Sequence, residues 1–386
     1  MRILFVPVLC WNRLMKMAGK RMTRKQFIFI IACFIQGSSF YTMYYYHMAG
    51  NEAWLCLLAG ILLGMLVAYL YGALGDSYPS CCLVQINEAV FGRIPGKILS
   101  FFYLYTFIVS CSMTMRETSQ FVAGDLLMET DWIPILTVFV LACAWASNAG
   151  TRYFASVSTF MCILMYVFTV LLFLLLLPMI EFKHLLPLGG HSASEYGRSV
   201  LYCTLMPFSE LVVLLFLVPD FKEAREQKNL WKQFVLGILI GAPFIIILVL
   251  RDTLVLGPLL TAFYYPSYEV VRLINFNVLS HIESLYGVLL IFILFFKSAV
   301  IFYCITKALA RIFGCRKNIV FTAFTTGLML LCTQQLCSSN VSLMNLALHR
   351  IPYVLLAVQV GLPALTLAAS RVKNTVQNKR SSVKCG

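Results

Sequence analysis

Ten apolar runs, each long enough to cross a bilayer, occupy most of this 386-residue chain. A helix rises about 1.5 Å per residue, so about 20 apolar residues span roughly 30 Å of hydrocarbon. The composition is 60% hydrophobic and only 12% charged, which excludes a soluble globular domain. The sequence therefore predicts an all-α integral membrane protein with ten transmembrane helices. The predicted spans are Gln26–Tyr46, Ala53–Leu74, Ile98–Met115, Trp132–Ala149, Ser156–Ile180, Ser199–Pro219, Gln233–Leu250, Leu285–Thr306, Asn318–Leu336 and Ile351–Ser370.

Basic residues are distributed unevenly between the connections. If the N-terminus is cytoplasmic, the cytoplasmic segments hold 23 Lys and Arg residues, the opposite side holds six, and Lys297 lies within a span. This bias predicts that both termini are cytoplasmic. The net charge of +14 is then explained by topology and by anionic lipid, and not by nucleic acid. The predicted domains are a cytoplasmic basic segment (1–25), one membrane domain (26–370) and a cytoplasmic basic tail (371–386).

Ten spans divide into two sets of five, and the second set then enters the membrane from the opposite face. This arrangement predicts a five-plus-five inverted repeat, in which the first helix of each repeat is discontinuous. The first span carries Gly37, Ser38 and Ser39, and the sixth carries Pro207, Phe208 and Ser209 at corresponding positions. Each of these two groups of residues has two interpretations. It frees backbone polar atoms to face a ligand or an ion, or it makes an ordinary helix kink.

Two spans carry a full charge near their centre, and these charges are the main functional candidates. A charge at the bilayer centre costs about 2.5–3.5 kcal/mol or more, so such residues are rare. Lys297 lies in the eighth span, in FILFFKSAVIF. One interpretation places its ammonium beside the broken first helix. There the ammonium replaces a coupling ion and is able to exchange a proton. The other is a structural pair that fixes helix register.

Glu210 follows the interruption of the sixth span, in LMPFSELVV. Three roles are open for it: binding the amine of a ligand, pairing with Lys297, or capping freed amides. Ser38, Ser39 and Ser298 offer hydroxyls at a similar depth, although back-bonding to their own helices is the more frequent outcome. We therefore expect the ligand site to comprise Gly37, Ser38, Ser39, Pro207, Phe208, Ser209 and Glu210, and the ion or proton site to comprise Lys297 and Ser298.

Two further segments are interpreted from their aromatic content. Four tyrosines end the first span, and an interfacial aromatic belt explains them better than a ligand site does. They are Tyr41, Tyr44, Tyr45 and Tyr46. The long connection Arg251–Ser284 mixes apolar with polar residues, which predicts packing on the outer mouth as a lid or as a partner surface. The spacings Gly60–Gly64 and Gly237–Gly241 predict close helix packing.

Enzyme and cofactor signatures do not occur in the sequence. GRIPGK, at residues 92–97, is one residue short of a phosphate-binding loop and is followed by Ile98 instead of Ser or Thr. The 14 cysteines form no CxxC pair, and buried apolar packing explains most of them. We expect no catalysis, no cofactor and no metal site.

Several segments, taken together, resemble the spore germination permease family. This family supplies the B subunit of nutrient germinant receptors in endospore-forming bacteria and belongs to the amino acid–polyamine–organocation superfamily. The segments run in family order from about Met22 to about Ser370. They are NEAVFGRIPGKILSFFYLYTF, MTMRETSQFVAGDLL, LLPLGG, MPFSE with VPDF, YYPSYEVVRLINF and IESLYGVLLIFILFFKSAVIFY. The first span departs from the family pattern because no proline follows its glycine.

The resemblance implies ten helices in a five-plus-five inverted repeat. It also implies a subunit that senses a small nutrient, typically an amino acid, in the inner spore membrane beside an A subunit and a C subunit. Three classes of function remain open. They are a ligand-sensing receptor subunit, an amino acid or amine permease, and an assembly scaffold without ligand binding.

Overall fold

The computed structural model describes residues 22–221, 229–274, 282–314, 318–336 and 340–384. Within these ranges the regular secondary structure is entirely helical. The α-helices are α1 (Arg24–Gln36), α2 (Thr42–Ala49), α3 (Ala53–Ser77), α4 (Leu83–Phe91), α5 (Arg93–Phe121), α6 (Trp132–Ala149), α7 (Thr151–Leu176), α8 (Ala193–Phe208), α9 (Leu230–Leu256), α10 (Pro266–Arg272), α11 (Ile282–Phe313), α12 (Asn318–Gln335), α13 (Asn340–His349), α14 (Ile351–Leu355) and α15 (Leu362–Lys384).

Eight helical stretches of the described chain are long and apolar enough to cross a membrane. They are Arg24–Ser77, Arg93–Leu126, Trp132–Ala149, Thr151–Met179, Ala193–Phe216, Leu230–Thr261, Ile282–Phe313 and Ile351–Lys373. The first of them contains two of the predicted spans, and Ile319–Gln335 is a shorter apolar helix. A multi-pass, all-helical membrane protein is confirmed, whereas the count of ten spans and the inverted repeat stay predictions.

Both expected interruptions are present. The first span runs as α1, breaks at Gly37 and Ser38, and continues through the 3-10 turn Ser39–Tyr41 into α2. The sixth runs as α8 and passes directly into the 3-10 segment Ser209–Phe216. Pro207 lies in the last α-helical turn before that change, where its missing N–H and its ring oppose a regular helix.

Small residues let the helices around these interruptions approach closely. A Cβ at Gly241 of α9 would lie 2.9 Å from both the Cα and the carbonyl oxygen of Ala32 in α1. A Cβ at Gly60 of α3 would lie 2.9 Å from the Cβ of Cys203 in α8. The predicted close packing is therefore confirmed, and it holds the first half of each interrupted span against a continuous helix.

Two of the helices that extend beyond their predicted ends thereby include buried charged residues. Helix α5 continues to Phe121 and α9 continues to Leu256, so Arg116, Glu117 and Arg251 lie within helices and not in connections. All three side chains are buried. The predicted ends of these two spans are wrong, because hydropathy ends a span at the first charge while a partnered charge does not end a helix.

The connection after α9 packs on the interrupted first span. The Tyr265 ring lies 5.0 Å from the Phe40 ring and 5.1 Å from the Phe121 ring. Helix α10 follows, and most of its residues are buried. This part of the connection therefore packs on the helices, while its role as a lid or as a partner surface stays a prediction. Residues 275–281 lie outside the described ranges.

The contact between α1 and α9 gives a first prediction. Gly241→Ala forces Cβ into the Ala32 backbone and should cost about 1–3 kcal/mol through overpacking. Gly327→Ala is the matched control, because a Cβ there meets nothing within 4 Å. Thermal unfolding of the purified protein in detergent should show a lowered midpoint only for Gly241→Ala. Equal midpoints for the two variants would contradict the close approach.

Candidate functional site

The interruption of the first span lies directly against the eighth span. A Cβ at Gly37 would lie 2.7 Å from the Lys297 Cβ and 2.9 Å from the Ile293 carbonyl oxygen of α11. Only glycine fits at that position without a shift of one helix. Lys297 therefore lies beside the broken first helix in this structure.

The Lys297 ammonium has partners from both interrupted spans. Its Nζ lies 2.7 Å from Glu210 Oε2 and donates a hydrogen bond of 2.9 Å to Ser38 Oγ. It also lies 4.1 Å from the centre of the Tyr41 ring. The side chains of Lys297 and Glu210 are 0% and 2% exposed, so neither charge is screened by water. Such a position needs a partner for each charge, and the geometry supplies one.

Glu210 is the point at which the first and sixth spans meet. It lies in the first turn of the 3-10 segment that follows α8. While Oε2 faces Lys297, Oε1 accepts a hydrogen bond of 3.0 Å from the Tyr41 hydroxyl. One carboxylate therefore connects the sixth span to both the eighth and the first. Of the three roles considered for Glu210, pairing with Lys297 is the one present in this structure.

The other expected site residues fall into two groups. Ser39 and Ser298 are buried, and their hydroxyls have no hydrogen-bond partner within the described ranges. Pro207, Phe208 and Ser209 do not contact Lys297 through any described hydrogen bond or ion pair. Phe208 packs on Gly64, where a Cβ would lie 2.6 Å from its ring.

Ser209 connects the interrupted sixth span to the π-helical segment Leu356–Gly361. Its Oγ lies 2.6 Å from the Leu205 carbonyl oxygen and 2.8 Å from Gln359 Oε1. The Tyr71 hydroxyl lies 2.9 Å from the Ser209 carbonyl oxygen and 2.7 Å from that of Gln359. Ser209 and Tyr71 therefore hold the interrupted sixth span to this segment.

The tyrosines of the first span do not form an interfacial belt, so that prediction is wrong. Tyr41, Tyr44, Tyr45 and Tyr46 are all at most 2% exposed. Three of them donate to buried carboxylates on other helices: Tyr41 to Glu210, Tyr44 to Glu117, and Tyr46 to Asp252. Burial of a phenol is tolerated when its hydroxyl has such an acceptor, which hydropathy alone does not reveal.

Glu117 of α5 is the main residue that the sequence analysis missed. Its side chain is 0% exposed, and Oε1 accepts the Tyr44 hydrogen bond. Its Oε2 has no hydrogen-bond partner within the described ranges. The available signal was the hydroxyl-rich run MTMRETSQ. Thr118 and Ser119 bond back to their own helix, so their hydroxyls are satisfied when the helix is buried past Met115.

A second buried ion pair lies near the end of α9. Arg251 Nη2 lies 2.7 Å from Asp252 Oδ1, and both side chains are 0% exposed. Arg251 Nη2 also donates to the Ser267 carbonyl oxygen at 3.0 Å, and the Ser267 hydroxyl donates to Asp252. This pair thus fastens α10 to α9. Within the described ranges no group of three His, Cys, Asp or Glu side chains could hold a metal ion.

Sequence comparisons place this geometry in a known context. A family model described as "Spore germination protein" matches residues 21–341. Spore germination protein KB of Bacillus subtilis (strain 168) is 23% identical over 323 residues, which cover 82% of this chain and 86% of that protein. Residues 21–341, which the family model matches, include the first, sixth and eighth spans.

Solved structures of membrane transporters share the fold. A nucleobase-cation-symport-1 family transporter, closed with bromovinylhydantoin bound, superposes with a TM-score of 0.64 at 12% identity over 91% of this chain and 78% of that one. A Na⁺-coupled sialic acid symporter gives 0.60 at 10% identity over 86% and 78%. A manganese transporter variant of Eremococcus coleocola gives 0.56 at 12% identity over 95% and 87%. At such identities the likeness concerns the fold alone.

The buried pair gives a second prediction. Glu210→Gln and Lys297→Met should each lower the free energy of unfolding by about 3 kcal/mol, because each leaves one buried charge unpaired. The double variant should be more stable than the sum of the two changes predicts, by about 2 kcal/mol. Unfolding of all four proteins in detergent measures this coupling.

The exposed pair Glu269–Arg272 is the matched control, with its oxygen and nitrogen 2.9 Å apart. Glu269→Gln should cost less than about 1 kcal/mol. If the effects of Glu210→Gln and Lys297→Met on the free energy of unfolding are strictly additive, the two side chains do not pair.

Proposed function

This chain belongs to the spore germination protein family, and on that premise we propose that it is a membrane subunit of a nutrient germinant receptor. In this proposal it senses a small nutrient such as an amino acid and thereby triggers germination. The supporting observation is a cluster of buried charges at the two helix interruptions, which we call the buried charge cluster: Lys297, Glu210 and Glu117. A buried pair of opposite charges suits a sensor that changes state when a charged ligand competes for it.

The charge balance of the cluster favours a ligand with an ammonium group. Lys297 brings one positive charge, whereas Glu210 and Glu117 bring two carboxylates, and one oxygen of Glu117 has no partner within the described ranges. An unpaired buried carboxylate is costly until it gains a proton or a cation. An amine or amino acid supplies the missing cation, and an uncharged sugar does not.

A zwitterion also matches both signs of the pair. In the proposed complex the ligand carboxylate binds Lys297 and its ammonium binds Glu210 or Glu117. The contacts of Lys297 with Glu210 and Ser38 must then rearrange, so the ligand binds a different helix arrangement from the one described here. Differential affinity for two arrangements is all that a sensor requires. Gly37, Ser39, Pro207, Phe208, Ser209 and Ser298 belong to this proposed site as helix-breaking and polar neighbours.

The membrane, the orientation and the partner subunits of the protein belong to the same proposal. Ten spans in a five-plus-five inverted repeat would lie in the inner spore membrane, with the basic segments 1–25 and 371–386 in the cytoplasm. The A and C subunits of the receptor would be its partners and would carry the signal onward. The bias of 23 basic residues to six supports this orientation, although Arg116 and Arg251 of the minority side are now known to be buried.

A secondary transporter of an amino acid or amine is the alternative. It is favoured by the shared fold with symporters, at TM-scores of 0.64 and 0.60. In a cation-coupled symporter the ion binds and leaves, whereas the Lys297 ammonium is covalently attached. A fixed cation is compatible with sensing, and with transport only if it exchanges a proton.

The third prediction separates these functions. Spores that lack the gene should lose germination with one set of nutrients and keep it with others. The purified protein in liposomes should bind tritiated amino acids of that set without concentrating them against a proton or sodium gradient. Spores with the gene restored are the control. Concentrative uptake, together with unchanged germination of the deletion strain, would establish the transporter instead.

A further inference from the structure

Glu117 of α5 is a fully buried acid without an ion pair in the part of the chain that the structure describes. Its side chain is 0% exposed. Its carboxyl group accepts one hydrogen bond there, from the Tyr44 hydroxyl to Oε1, and Oε2 has no partner. The adjacent Arg116 does not pair with it, because Arg116 donates to the Thr333 carbonyl oxygen and lies over the Trp132 ring.

The groups that surround Glu117 supply a single positive charge, and that charge is already paired. Four phenols, which are uncharged at neutral pH, lie around it: Tyr41, Tyr44, Tyr202 and Tyr265. The charged groups that act on it within the described ranges are Glu210 and Lys297. The Lys297 ammonium lies 2.7 Å from Glu210 Oε2. One ammonium therefore stands against two carboxyl groups.

This excess of acid determines which form of Glu117 is stable. A carboxyl group buried without a compensating cation takes up a proton, because the interior does not stabilise its charge. The hydrogen bond from Tyr44 persists in that form, since Oε1 remains an acceptor while Oε2 carries the proton. With Lys297 charged, Glu210 ionised and Glu117 neutral, the buried charge cluster has no net charge.

We propose that Glu117 is a proton-binding site, which is neutral in the resting protein and gives up its proton when an amine without a carboxylate binds the buried charge cluster. The inference rests on the proposed function for the class of ligand. The amine binds as an ammonium, the proton of Glu117 passes to water, and Glu117 ionises, so the cluster stays neutral. A zwitterion brings its own carboxylate and preserves neutrality only when Glu117 keeps its proton. The ammonium of an amino acid then faces Glu210.

Infrared spectroscopy of the full-length protein in lipid nanodiscs tests the resting state. At neutral pH, the difference between wild type and Glu117→Gln should show the loss of a protonated carboxyl band. Glu210→Gln is the matched control and should lose an ionised carboxylate band instead. The result should be the same in sodium chloride and in potassium chloride, because the proton leaves no carboxylate for either cation. Loss of an ionised carboxylate band on Glu117→Gln would overturn the proton site.

Thermal unfolding in detergent gives a second measurement of the same state. Glutamine has the shape and charge of a protonated glutamate, so Glu117→Gln should keep the wild-type midpoint at neutral pH, whereas Glu210→Gln should lower it. A midpoint lowered equally by both would contradict a neutral Glu117. If Glu117→Gln does not accumulate, Tyr44→Phe replaces it in the infrared experiment. Loss of the hydroxyl that donates to Oε1 should shift the protonated band to higher frequency, and an absent shift would overturn the proton site.

The exchange is tested with methylammonium chloride and L-alanine, with sodium chloride at equal ionic strength as the control. Methylammonium should convert the Glu117 band of the wild type from the protonated to the ionised form, and L-alanine should not. The Kd of methylammonium, read from this conversion, should rise about tenfold for each unit by which the pH falls, because one proton competes with it. A band that methylammonium leaves unchanged would overturn the exchange.

Germination separates this inference from the proposed function. A protonated Glu117 in a protein whose deletion leaves germination unchanged would overturn the receptor function and keep the proton site. Nutrient-specific loss of germination, together with an ionised Glu117 in the resting protein, would overturn the proton site and keep the receptor function.

Discussion

The ion pair between Lys297 and Glu210 is the interaction on which the rest of the membrane domain depends. An ammonium and a carboxylate 2.7 Å apart, both buried, connect the eighth span to the sixth. Ser38 and Tyr41 add the first span to the same junction. Desolvation makes such a pair a poor source of stability. Its value lies in specifying one arrangement of the three spans, because any other arrangement leaves a charge unpaired.

The helix interruptions and the buried tyrosines follow from that constraint. The interruption at Gly37 lets the first span approach Lys297 closely, and the span beyond it carries the tyrosines that bond to Glu210, Glu117 and Asp252. The second half of the first span is thereby attached to the sixth, third and seventh spans. A change at Glu210 or Glu117 is therefore connected to several helices at once, as far as the Asp252 network that holds α10.

The sequence predicts the part of this site in which a charge interrupts an apolar run. Lys297 and Glu210 stand out for that reason, and Gly37 and Pro207 mark the interruptions because their backbone chemistry is local. Glu117 lies where hydropathy ends a span, so its burial depends on a tertiary partner that no local pattern shows. The sequence predicts an aromatic belt for the tyrosines because their hydrogen-bond acceptors lie on other helices, where no local pattern shows them.

The central claim is that Lys297 and Glu210 are an ionised pair in the resting protein, and infrared spectroscopy tests it most directly. The difference spectrum between the wild-type protein and Glu210→Gln, both in lipid nanodiscs at neutral pH, isolates the Glu210 carboxyl group. The account predicts that the band lost on substitution is that of an ionised carboxylate. Loss of a protonated carboxyl band instead would mean that the pair is neutral and would contradict the account.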